Sequence, residues 1–151
     1  MRPIRPIRPM RPKYLDLTED ERKALIWKGV LTGCGPNGWR EGLIAEYDFK
    51  PACFQHDFEW WLGGTHEDRM HADKQFYKSM ILRIRLGFKI KKYGLAKYYF
   101  FKAAAWQYHL AVSLWTLVSG PFKRGFRYGE PRTLEDISAA AEEFRLRSLI
   151  P

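Results

Sequence analysis

The feature that most constrains this chain is a three-residue break, Gly63-Gly64-Thr65, between two stretches that carry helix signals. Pro51 suits the first turn of a helix, which is expected over Pro51 to Leu62. Thr65 suits the cap of the next, with Glu67 and Asp68 favourable in its first turn, and that helix is expected to run to Leu86. Two helices joined by so short a link fold back on each other, antiparallel, about a pivot near Gly64 and Thr65. His56 lies eight residues before Gly64, and Asp73 eight after Thr65. The two therefore reach the same height along the pair.

The rest of the chain reads as helix as well. Thr18-Glu-Asp-Glu21 is a capping box, so a helix starts near Glu19 and runs to about Gly29. Ala24, Leu25, Trp27 and the stem of Lys28 form its apolar face. Leu31 to Tyr47 is Gly-rich, with Pro36 and Asn37, and reads as loop. Gly87 to Gly94 is basic and reads as a turn. A fourth helix is expected over Leu95 to Val118, with Trp106, Tyr108 and Trp115 in the core. Pro121 to Pro131 is loop, and Thr133 with Asp136 opens a last helix over Leu134 to Ser148. No clear strand signal is present, so the class is all-α. The expected division is an arm over 1–17, a helical domain over 18–132 and a C-terminal helix over 133–151.

The arm repeats Arg-Pro-Ile, Arg-Pro-Ile, Arg-Pro-Met, Arg-Pro-Lys. Proline at every third position favours polyproline II, which has three residues per turn. Arg2, Arg5, Arg8 and Arg11 then share one edge and suit neighbouring subunits of a particle; a solvated basic tail is the alternative. No apolar run follows these arginines, so a secretory signal is not expected. The most apolar stretch, Ala103 to Val118, is short of the roughly 20 residues of a membrane span and reads as a buried helix. The net charge is +9. An acidic partner is therefore expected: an anionic phospholipid surface, a nucleic acid or an acidic protein. The basic residues Arg83, Arg85, Lys89, Lys91, Lys92 and Lys97, interleaved with apolar and aromatic ones, suit a solvated face or a bilayer surface. With no base-reading motif, nucleic acid ranks last among these partners.

One constellation carries chemistry. In Cys53-Phe-Gln-His56-Asp57-Phe-Glu-Trp60, adjacent His56 and Asp57 point about 100° apart on a helix and address different neighbours. Trp60, four residues on, shares the His56 face. Asp73 keeps company at helical spacing with Phe76, Tyr77 and Met80. A carboxylate on an apolar face needs a partner, and His56 across the hairpin is that partner. The carboxylate fixes the imidazole tautomer and leaves the other ring nitrogen as a general base. Asp57 is expected to face the Gly33-Cys34-Gly35-Pro36-Asn37-Gly38 loop. One carboxylate with loop carbonyls makes an oxygen site suited to Ca²⁺. Two cysteines alone do not make a zinc site, and Cys34 and Cys53 are either buried thiols or one bridge.

Over Gly33 to Met80 these residues resemble the phospholipase A2 superfamily, and Ala72 to Phe76 is similar to its compact viral and bacterial members. The resemblance implies His56 as general base, Asp73 as the carboxylate behind it and Asp57 as a calcium ligand. It also implies Gly33, Gly35 and Asn37 as carbonyl ligands and a Cys34–Cys53 bridge. Trp60 stands where the family usually has Tyr, and Ala52 replaces a second cysteine. The loop is Cys-Gly-Pro-Asn-Gly where the family has Cys-Gly-x-Gly-Gly. A similar helix pair also occurs in small phage proteins of unknown function. The expected activity is calcium-dependent hydrolysis of a phospholipid ester at an anionic membrane. The alternative is a structural protein of a phage or virus particle on the same scaffold. The implied setting is a virion or the extracellular space.

Overall fold

A computed structural model describes residues 11–33, 46–119, 126, 129 and 131–148. Among them are five α-helices: α1 (Glu19–Trp27), α2 (Glu46–Leu62), α3 (His66–Lys89), α4 (Leu95–Ser119) and α5 (Leu134–Ser148). A single 3₁₀ turn, Tyr14–Asp16, precedes them. No strand element occurs among the described residues, so the class is all-α.

The capping signals place α1 and α3 closely. Thr18 and Glu21 complete a capping box, and so do Thr65 and Asp68. In each the hydroxyl accepts from the third helical N–H while the carboxylate returns to the cap N–H, satisfying two orphan donors. The expected start of α2 was wrong. The helix begins at Glu46, and Pro51 sits inside it. Proline there costs the bond to the carbonyl four residues back. Phe49, Ala52 and Cys53, all buried, tie the flanking turns to the core and offset that loss. The expected end of α3 also moves, from Leu86 to Lys89, so Gly87 lies in the helix rather than in the turn. Lys91, at φ 57°, makes the turn instead.

Two apolar clusters hold the helices. In the first, Phe49, Ala52 and Cys53 of α2 meet Phe76, Met80 and Ile84 of α3 and Phe101 and Ala105 of α4. In the second, Leu17, Leu25 and Leu31 join Phe58 and Leu62 of α2 with Ile137 and Ala140 of α5. α5 therefore shares a core with the body of the chain. Residues just before it are tied to the α2–α3 link as well: Gly129 N–H donates to Gly64 O at 3.2 Å, and Arg132 N–H to Leu62 O at 2.8 Å. The Arg132 guanidinium donates to Trp61 O and lies over the Trp61 ring.

The face of α1 is narrower than expected: Ala24 and Leu25 are buried, whereas Trp27 is exposed and rests against Phe144 and Arg147. α4 departs further from the expected buried helix. Trp106, expected in the core, is 56% exposed, while Tyr108 packs against the first cluster. The side chain of Trp115 lies outside the described residues.

Gly87 is required by a close approach. A Cβ there would sit 2.5 Å from the Tyr93 ring, whose hydroxyl donates to Ile84 O at 2.6 Å and whose ring packs edge-on to Phe101. Gly87→Ala must expel that ring. A loss of about 1–3 kcal/mol is expected, although alanine is the better helix former. Urea denaturation of the variant checks this, and unchanged stability would mean the ring has somewhere else to go.

Candidate functional site

Two turns of α2 and one of α3 build the site. His56 and Trp60 lie one turn apart on α2, and both reach Asp73 of α3. His56 Nε2 is 2.9 Å from Asp73 Oδ1, and Trp60 Nε1 donates to the same oxygen at 2.9 Å. An ionised carboxylate only accepts, so Nε2 carries the hydrogen in this pair and Nδ1 is the nitrogen not committed to Asp73. Trp60 thus supports Asp73 through its indole N–H. His56 is held from both sides, stacked on Phe76 at 4.6 Å between ring centres and tilted against Trp60 at 5.0 Å. Phe126 meets the Trp60 ring edge-on.

The pair is enclosed: His56 is 7% exposed and Asp73 4%. Arg69, one turn before Asp73 and also buried, brings its Nη1 to 3.9 Å from Asp73 Oδ2. Its Nε has no hydrogen-bond partner among the described residues. The sequence reading overlooked Arg69, although its spacing four residues before Asp73 is the ordinary spacing of a helical ion pair.

Asp57 points away from this pair, toward Thr32 and Gly33. Its Oδ2 accepts from Thr32 N–H at 2.9 Å, Gly33 N–H at 3.0 Å and the Thr32 hydroxyl at 3.4 Å. Of the Gly33–Gly38 stretch only Gly33 is described, and it meets Asp57 with its N–H rather than its carbonyl. Nothing in the sequence singled out Thr32, whose role depends on where the backbone passes. Gly35, Asn37 and Cys34 lie outside the described residues. Cys53 is disulfide-bonded, and Cys34 is the only other cysteine of the chain.

A hard cation fits this place in part. The hydrogen bonds that Asp57 accepts from described residues all fall on Oδ2, and burial pushes the carboxyl up to about 6 from its usual 3.8, against the pull of the Gly33 and Thr32 donors. A carboxylate so penalised by desolvation gains from a nearby positive charge. Among the described residues no three His, Cys, Asp or Glu side chains converge on a metal position. Ligands beyond Asp57 would therefore be backbone oxygens of the loop.

Arg11, assigned by the repeat to a partner's surface, is engaged within the chain. Its Nε donates to Glu59 Oε2 at 3.2 Å, its Nη2 to Glu59 O at 3.1 Å, and its Nη1 lies 3.5 Å from Asp68 Oδ2. Arg2, Arg5 and Arg8 lie outside the described residues. A surface groove lined by Tyr14, Gln55, Glu59, His71 and Gln75 includes none of His56, Asp57 and Asp73.

Two outcomes are expected. Trp60→Phe keeps the ring but leaves Asp73 Oδ1 with one donor. It should cost about 1–3 kcal/mol in urea denaturation, more than a surface change would. The folded Asp57 carboxyl keeps its proton to a higher pH than the unfolded chain does. With chelator present, its contribution to stability should therefore fall as pH rises from about 4 to 6 and then level off. Asp57→Asn retains an oxygen for the Thr32 and Gly33 donors. It should flatten that slope and raise stability at pH 7 by about 1–3 kcal/mol. Denaturation midpoints across the pH series measure this, and a parallel slope in the variant would assign the titration elsewhere.

Comparison with protein-family models, with curated proteins and with solved structures finds no match to this chain.

Proposed function

We propose that this chain is a calcium-dependent phospholipid ester hydrolase of phospholipase A2 type, working on an antiparallel helix pair beside a Gly-rich calcium loop. The observation that carries the reading is the division of labour on α2: His56 bonds to Asp73 through Nε2, while the adjacent Asp57 turns to the Thr32–Gly33 backbone. Asp73 holds the imidazole with Nδ1 free of that bond. Nδ1 takes a proton from water as the oxygen attacks the ester carbonyl, and returns it to the departing alkoxide. Trp60 and Phe76 fix the ring plane, so little reorientation is needed before proton transfer. Asp57, with carbonyls of Gly33, Gly35 and Asn37, would hold the ion. When bound, a calcium ion there supplies charge that stabilises the developing oxyanion.

A second reading, a structural protein of a phage or virus particle on this scaffold, is favoured by the enclosure of His56 between Trp60 and Phe76. Fatty-acid release from mixed phospholipid vesicles separates the two. Release should need calcium and stop with excess chelator. His56→Gln should lower it by about 10²–10⁴-fold with helicity unchanged. Equal release with chelator, or an unchanged rate in the variant, would sink the hydrolase mechanism. No release at all from folded, calcium-loaded protein leaves the structural reading.

A further inference from the structure

We infer that the α3–α4 hairpin is an interfacial anchor: it lies in the headgroup layer of an anionic bilayer, with α4 in the plane of the membrane rather than across it. This rests on a different set of residues from the proposed hydrolase site and does not require that site to turn over.

Three observations converge. The first is charge. Between Asp73 and Glu130 the sequence holds no Asp or Glu, while Arg83, Arg85, Lys89, Lys91, Lys92 and Lys97 all fall there. The acids of α3, Glu67, Asp68 and Asp73, are all in its first eight residues, and α4 has none. Most of α3 and all of α4 thus present cationic groups with no local counter-charge, which suits an anionic partner and disfavours pairing with a second copy of the same surface. The second is where the apolar side chains point. On α3 and at the residue that caps it, Leu82, Leu86 and Ile90 are exposed at successive four-residue steps, Ile90 by 71%. On α4, Leu95, Tyr99, Trp106, Leu110 and Leu114 are exposed with spacings of four, seven, four and four. Each set forms one stripe. The opposite faces, Met80 and Ile84 of α3 and Phe101 and Ala105 of α4, already fill the core. Among the described residues no further helix packs on either stripe, and water is a poor partner for side chains of this size.

The third is length and polarity. No described helix is long and apolar enough to cross a membrane. A helix with an apolar stripe, aromatic residues and lysines at its margin settles in the interface. Lys97 and Lys102 sit on α4 with Tyr98 and Tyr99, and the Lys102 ammonium lies over both tyrosine rings. Nucleic acid answers the charge but offers nothing to exposed leucine and isoleucine. Lipid answers both.

Co-sedimentation of the full chain with phosphatidylserine–phosphatidylcholine vesicles tests this against pure phosphatidylcholine. Binding to the anionic vesicles should be at least tenfold tighter and weaken with salt. Lys89→Gln and Lys97→Gln should each lower it about fivefold. Ile90→Asn with Leu95→Asn should lower it further, with helicity unchanged because both side chains are exposed. His56→Gln should bind as wild type does. Equal binding to both vesicle types, or variants that bind like wild type, would overturn the anchor. So would duplex DNA binding that the Ile90 and Leu95 changes leave intact, or a concentration-dependent dimer that they abolish. Hydrolysis of a soluble short-chain ester keeps the two proposals apart. Lost vesicle binding with that activity retained removes the anchor alone. Vesicle binding without any hydrolysis removes the enzyme alone.

Discussion

The site depends on one buried contact, His56 to Asp73. A carboxylate at 4% exposure is tolerable only where donors replace the water it has lost. Here one oxygen takes two, from an imidazole and an indole on successive turns of α2. The arrangement sets the rotation of α2 against α3: turning either helix by one residue would swing these donors away and leave the carboxylate with Arg69 alone, 3.9 Å off. The apolar cluster of Phe49, Phe76, Met80 and Phe101 supplies attraction without direction. The polar contact specifies the register, and the two agree.

The opposite consequence holds for Asp57. Because His56 faces α3, its neighbour faces elsewhere, and the backbone at Thr32 and Gly33 closes over it. Hydrogen bonds from that backbone favour the charged form, yet burial outweighs them and keeps the carboxyl near 6. The two acids thus differ in where their donors come from. Asp73 takes an imidazole and an indole from α2, whereas Asp57 takes the backbone of Thr32 and Gly33 and the Thr32 hydroxyl.

Much of this was legible in the sequence because its signals are local. Thr18, Thr65 and Thr133 each announce a helix through a carboxylate three residues on, and all three helices begin where those boxes say. The height match of His56 and Asp73 follows from counting residues either side of a short link. What failed to show depends on distant partners. Pro51 suggested a helix start, but burial of Phe49 and Cys53 extended α2 through it. Gly87 looked like turn punctuation, until the Tyr93 ring lying against it made it a helix-packing residue. Trp106 has the composition of a core residue, and only the packing of α4 on α3 reveals that the core takes the opposite face. Arg11 reads as one of four equivalent arginines; Glu59 and Asp68 set it apart.

The crowding around Gly64 has a kinetic meaning. A Cβ there would strike Asp68 and Arg11, and its carbonyl receives the N–H of Gly129. Segments from near both ends of the chain therefore converge on a link in the middle. The α2–α3 hairpin needs only local contacts and can assemble early. Bringing residues 11 and 129 to it closes long loops, which costs entropy before any contact repays it. The termini should arrive last, sealing a turn that has already formed.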